Sequence, residues 1–408
     1  MKVVVVGGGA GGMFAAIFAA KNGAKVTLIE KNEKLGKKIY ITGKGRCNVT
    51  NDCSAEKFLE NVTSNSKFLS GALYTFTPQD CIRFFEDNGL KLKTERGNRV
   101  FPESDKASDV TKTLEKCLRG LGVEIKFNTE MTGLVIVDGK VTAVKTKGGN
   151  IVCDKVILST GGATYTATGS DGGGIELVRT LGHNIIPLTG SLNGLKTQPI
   201  TGAAGLTLKN VSVSATKDSG VLAQEFGELL FTHTGVSGPA VLTLSGKINR
   251  LTDFRDAYIE IDLKPALDEK TLDLRLQRDF MECNNKNFGN SLDALLPRAL
   301  IPEVIKRSGI DSLSKVHQIT AAQRKNLLTV LKQFKLKMHG HESMETAVVS
   351  AGGVDTGQII PSTMESKLIK GLYFAGEMID VDALTGGFNL QIAFSTGVKA
   401  GISAAKEK

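Results

Sequence analysis

The first thirty residues alternate strand-like and helix-like apolar patterns. Lys2–Val6 is a continuous β-branched run, as in a strand buried on both faces of a parallel sheet. Residues 13–21 are alanine-rich with apolar positions at helical spacing, and Asn22-Gly23 supplies a stop. Residues 24–29 predict a second strand, 155–158 and 370–374 two more, and 390–405 a helix of small residues. Between these the pattern changes twice. Residues 205–230 and 258–264 alternate apolar with polar among frequent turn signals, which predicts antiparallel strands. Residues 268–334 return to helical spacing at Leu272, Leu276 and Phe280, at 295–300, and at Leu327, Leu328 and Leu331. The class is α/β.

The turn after the first strand gives that pattern a purpose. Gly7-Gly8-Gly9-Ala10-Gly11-Gly12 contains G-x-G-x-x-G at Gly7, Gly9 and Gly12, and Glu30 ends the second strand. In a Rossmann-like unit, the first glycine permits the tight turn and the second lets backbone approach a pyrophosphate. The third allows close helix–strand packing. The helix N-terminus offers free N–H groups and a positive dipole end to the anion. Glu30 is placed to accept hydrogen bonds from ribose hydroxyls, and its charge disfavours a 2′-phosphate. Residues 1–30 therefore predict dinucleotide binding.

The far end of the chain selects FAD over NAD. A strand ending in Ala375-Gly376-Glu377 is followed by Thr385-Gly386-Gly387-Phe388-Asn389 and a helix. That order suits Glu377 to ribityl hydroxyls and the helix N-terminus to the flavin edge where negative charge develops on reduction. Together with Ser159-Thr160-Gly161-Gly162, these residues resemble the glutathione-reductase-like superfamily of FAD proteins. Four longer stretches are similar to one bacterial flavoprotein family, that of aminoacetone oxidases and BaiN-type reductases of 3-oxo-4,6-diene bile acids. They are ITGKGRCNVTN (41–51), RVFPESDKASDV (99–110), GELLFTHTGVSGPAVLTLS (227–245) and TMESKLIKGLYFAGEMIDVDALTGGFNLQIAFSTG (363–397). The family usually carries a third glycine where Lys44 stands.

The resemblance implies a Rossmann-like FAD-binding domain at 1–190 and 346–408, a β-barrel-like insertion at 191–267 and 335–345, and a helical subdomain at 268–334. It places the cofactor on Gly7, Gly9, Ala10, Gly11, Gly12, Glu30, Lys31, Gly36, Lys37, Gly43, Gly45, Arg46, Cys47, Asn48, Met131, Thr160, Gly161, Gly162, Gly376, Glu377, Gly387, Phe388 and Asn389. Candidate catalytic groups are His233 as general acid, Tyr165 as proton donor or carbonyl ligand, and Cys47 as a thiol. His339-Gly340-His341 lacks nearby Cys or Asp, so no metal site is expected.

No second G-x-G-x-x-G stands between a strand and a helix; residues 163–168, before the glycines at 169–174, are not a buried strand. NADH or NADPH is therefore expected to visit the flavin transiently. The activity that the family resemblance implies first is reduction of an activated C=C in an enone or dienone, such as a 3-oxo-4,6-diene bile acid or steroid. The alternatives are amine oxidation of the aminoacetone type with O₂, and an RNA- or protein-binding flavoprotein.

Composition changes this picture little. The net charge is +9, but the 51 Lys and Arg residues form no run of five, so a small molecule rather than nucleic acid is the expected partner. Six cysteines without a C-x-x-C pair fit a reducing compartment. No signal peptide or membrane span is read, which predicts a cytoplasmic protein. The oligomeric state is left open.

Overall fold

A computed structural model describes residues 1–218 and 220–406. They form two compact units, Met1–Ser191 with Ser343–Lys408, and Leu192–Glu342.

The first unit is built on a seven-stranded sheet. Its parallel part comprises β1 (Lys2–Val6), β2 (Lys25–Ile29), β3 (Glu124–Lys126), β4 (Lys155–Leu158) and β5 (Leu372–Phe374), in the order β5-β4-β1-β2-β3. Ile359–Ile360 and Glu365–Ser366 extend it antiparallel beyond β5. β1 is central, and Val3, Val4, Val5 and Val6 are all buried, which explains its unbroken β-branched run.

Helix α1 (Ala10–Lys21) returns from β1 to β2 and packs along α2 (Phe388–Ala405). The two helices approach backbone to backbone. A Cβ on Gly397 would lie 2.3 Å from the Gly11 carbonyl oxygen, and one on Gly401 would lie 2.4 Å from that of Ala15. The small residues in both helices are thus a packing requirement. A three-stranded meander over Met131–Val137, Lys140–Thr146 and Gly149–Val152 joins β3 to β4.

The second unit is a closed six-stranded barrel. Leu195–Thr197 closes it by pairing with both Gly235–Ser237 and Phe334–His341. Val213, Ala215, Ile259, Ile261 and Leu336 fill the interior. Helices Glu269–Glu282, Ile301–Ser308 and Ala321–Lys332 add Leu272, Leu276, Val304, Leu327 and Leu331 to that same core. The helical stretch therefore shares the barrel's unit and core. The helical spacing at 295–300 forms no α-helix: Pro297 precedes a short 3₁₀ turn, and Leu295, Leu296 and Leu300 are buried from an irregular segment. Among the described residues no helix is long and apolar enough to cross a membrane.

Candidate cofactor and active site

The glycine turn sits at the carboxyl end of β1, where open α/β sheets bind ligands. Gly7 adopts φ +99, and a Cβ there would meet the Ser159 carbonyl oxygen at 2.4 Å. A Cβ on Gly12 would lie 1.9 Å from the Gly7 carbonyl oxygen, so α1 can start against β1 only with glycine at this position. Gly9 differs: nothing lies within 4 Å of the Cβ it lacks. The tight turn and close packing belong to Gly7 and Gly12, while open space belongs to Gly9.

Glu30 is buried and engaged with its own loop. Its Oε2 accepts the Gly8 N–H at 2.7 Å, and its Oε1 accepts the Asn32 N–H at 2.8 Å and Asn32 Nδ2 at 2.7 Å. The carboxylate thus fixes the glycine turn and retains acceptor capacity on Oε2. The Thr129 N–H donates to the Glu30 carbonyl, which brings the chain leading to Met131 beside this acid. Gly36 N–H donates to the Gly8 carbonyl. Lys31 pairs with Asp171, and Lys37 with Glu33 and Asn32. Both lysines have local partners.

Several other side chains have structural duties that their spacing did not reveal. The Arg46 guanidinium reaches Glu95 and Asp105 and lies over the Phe101 ring at 4.1 Å. These acids hold its pKa above the ordinary arginine value, and its donors serve the loop rather than standing free for a flavin edge. Cys47 is fully buried, and burial pushes its thiol up to about 12. A thiol in that state stays protonated near neutral pH. Phe388 is buried against Phe58, and both polar ends of Asn389 clamp the backbone of Ala383. Any cofactor contact from these two positions therefore falls to the backbone of α2's first turn. Lys44 takes the left-handed conformation, φ +58, between Gly43 and Gly45, which suits a glycine better.

Among the described residues of this unit, four side chains carry a buried polar atom without a partner: Asn48 Oδ1, Thr160 Oγ1, Ser170 Oγ and His183 Nδ1. Asn48 and Thr160 are cofactor candidates, and Ser170 is close to Gly161, whose Cβ would lie 2.7 Å from its Oγ. Buried polar atoms without partners are costly. Three of them on glycine-rich cofactor segments suit a polar ligand such as flavin or its ribityl chain.

Glu377 has strong partners of its own. Both carboxylate oxygens accept from Lys38 Nζ, at 2.9 and 2.7 Å, and Oε1 also accepts the Ser350 N–H at 2.8 Å. Lys38 was not evident from the sequence, because it is one of several lysines in KNEKLGKK. Tyr165 is partly exposed, with Lys38 Nζ 5.8 Å from its ring centre. His233 belongs to the second unit, exposed on the turn between strands Gly220–Phe231 and Gly235–Ser237; its neighbour Thr234 donates to Glu342. Among the described residues no group of three or more His, Cys, Asp or Glu could hold a metal ion.

Comparison with known proteins agrees with the geometry. The chain is 33% identical over 410 residues to a 3-dehydro-bile acid delta(4,6)-reductase of Clostridium scindens, covering 99% of both chains. It is 29% identical to a ribosomal RNA dihydrouridine synthase of Escherichia coli, covering 96% of this chain and 95% of that protein. Among solved structures, a 3-ketosteroid-delta4-(5alpha)-dehydrogenase from Rhodococcus jostii shares the fold, with a TM-score of 0.56 at 17% identity over 99% of this chain and 96% of that one. Residues 1–403 match the family described as HI0933-like protein Rossmann domain. With its glycine turn, acidic strand end and small-residue helix in place, the chain belongs to the HI0933-like family and is an FAD-dependent oxidoreductase.

Proposed function

We propose that this enzyme reduces a carbon–carbon double bond conjugated to a carbonyl, with electrons from NADH or NADPH. The observation that carries this reading is the full-length match to a delta(4,6)-reductase of a 3-dehydro-bile acid. Such an acceptor is a dienone, whose carbonyl makes the β-carbon electron-poor. A uridine reduced to dihydrouridine undergoes the same chemistry, because the uracil C5=C6 bond is conjugated to C4=O. The two kinds of full-length relative thus differ in the molecule that carries the alkene, not in the bond reduced.

FAD, when bound, would supply the two-electron redox chemistry between a nicotinamide donor and the alkene. The chain's own residues bind and orient. In this reading the α1 N-terminus and Gly9 take the pyrophosphate, Glu30 the ribose, and Asn48 and Thr160 the polar atoms of the flavin half. A proton is still needed at the α-carbon of the acceptor. Tyr165 and His233 are the side-chain candidates, with water as the alternative.

A second reading keeps the chemistry and makes the acceptor a uridine within RNA. It is favoured by the net charge of +9 and by full-length similarity to ribosomal RNA dihydrouridine synthases. The charge is spread out: residues 192–342 hold 20 Lys and Arg against 16 Asp and Glu. The charge is concentrated in neither unit, so the small enone remains the first choice.

Steady-state kinetics test the proposal. With one shared approach to the flavin, oxidised nicotinamide must leave before the acceptor enters, so parallel double-reciprocal lines are expected. Intersecting lines with a demonstrated ternary complex would contradict the shared approach. Reduction of the flavin by an amine but not by NAD(P)H would instead favour an oxidase.

A further inference from the structure

Lys38 and Glu377 are far apart in sequence yet form a partly buried ion pair in the cofactor unit. Their side chains are 23% and 20% exposed. All three Lys38 ammonium protons are used: two go to the Glu377 carboxylate oxygens, and the third goes to Thr164 Oγ1 at 2.7 Å. Thr164 is itself fully buried. Glu377 Oε1 is further held by the Ser350 N–H, and a Cβ on Gly162 would lie 3.0 Å from it.

The sheet order gives this cluster its meaning. Lys38 belongs to the segment leaving β2, Thr164 to that leaving β4, and Glu377 to that leaving β5. Since the order is β5-β4-β1-β2, a bridge from Lys38 to Glu377 must pass the carboxyl end of β1, where the glycine turn lies. Three strand spacings, roughly 14 Å, separate β2 from β5. The loop after β2 covers that separation, and holding a lysine there with every donor satisfied costs side-chain entropy and desolvation. The fold alone asks for no such link, because β1 to β5 are already hydrogen-bonded in one sheet.

We propose that the Lys38–Glu377 pair is a strap across the cofactor crevice, and that Lys38 is a positioning residue governing FAD retention. Lys38 fixes Glu377, and with Thr164 it ties together the three loops that surround the dinucleotide. The proposal rests on the FAD cradle and not on which acceptor is reduced. Its test therefore measures FAD release without turnover.

FAD dissociation from holoprotein is followed by the rise in flavin fluorescence on dilution, for the parent, Lys38→Met, Lys38→Arg, Glu377→Gln and the Lys38→Met/Glu377→Gln double variant. Loss of these charge-assisted bonds is expected to speed release about 10-fold in Lys38→Met. Lys38→Arg should restore most of the retention. The double variant should release FAD no faster than the faster single variant, because both break one link. Release from Lys38→Met within twofold of the parent overturns the proposal, as do additive effects in the double variant. A lower apoprotein Tm with unchanged release would make the pair a fold element only, which also overturns it. If Lys38→Met does not fold, the nearly isosteric Glu377→Gln reads the same loss.

Discussion

Gly12→Ala should damage the fold itself, whereas Gly9→Ala should leave the apoprotein intact and weaken FAD binding. At Gly12 the new methyl would stand 1.9 Å from the Gly7 carbonyl oxygen, a backbone atom fixed by the turn. Helix α1 would have to move off β1 and away from α2, to which it is fitted at Gly397 and Gly401. Overpacking of this kind costs about 1–3 kcal/mol or more. That is a Tm loss of roughly 2–12 °C or failure to fold. At Gly9 the backbone has φ −80 and ψ −170, which any residue adopts, and nothing lies within 4 Å. The apoprotein Tm should therefore stay close to the parent's. If the pyrophosphate approaches there, the same overpacking acts on the ligand, and FAD affinity should fall ~5- to 150-fold. Thermal melts of apoprotein and FAD titration separate the two. Equal Tm losses with unchanged FAD affinity in the Gly9 variant would show that the ligand does not lie on this turn.

Glu30→Ala should lower both FAD affinity and apoprotein stability. Loss of charge-assisted bonds to ribose costs roughly 1.5–3 kcal/mol, or ~10- to 150-fold in affinity. The structure adds a second effect. Removing the carboxylate strips the acceptor from the buried Gly8 N–H and releases Asn32, so the glycine turn itself should loosen. Glu30→Gln keeps an acceptor for one of those donors and should fall between parent and Ala variant in both measurements. Apoprotein titrated with FAD checks the first effect, and its melting curve the second. Unchanged FAD affinity in Glu30→Ala would remove this residue from the site.

The parts that read clearly from sequence were those where chemistry leaves only one residue type. A buried central strand needs apolar residues at every position, and the run from Val3 to Val6 has them. A helix that starts 1.9 Å from a carbonyl needs glycine, and Gly12 supplies it. Partner choice among long polar side chains was far less legible. Arg46 looked free to bind flavin because Glu95 and Asp105, which hold it, are distant in sequence and ordinary in type. Lys38 was hidden among neighbouring lysines, although only Lys38 reaches Glu377. Cys47 drew notice as a thiol, yet reactivity depends on exposure, and spacing carries no signal of that. The helices Ser66–Leu73 and Pro78–Asp87 went unread although the second opens with a capping box from Thr77 to Asp80. The break at Pro297 shows the converse error, since leucine spacing alone cannot distinguish a helix from an irregular buried segment.

The claim that this enzyme saturates a carbonyl-conjugated alkene is tested most directly by the second half-reaction alone. Holoprotein is reduced anaerobically with dithionite, freed of excess reductant, and mixed in a stopped-flow instrument with a 3-oxo-4,6-diene steroid or, separately, with uridine-containing RNA. The account predicts that one of these acceptors restores the oxidised flavin absorbance, with one double bond saturated per flavin reoxidised. Recovery with the steroid selects the first reading, and recovery with RNA alone selects the second. Reduced flavin that ignores both acceptors, in a protein whose oxidised flavin is bleached by an amine and restored by O₂, would contradict the account.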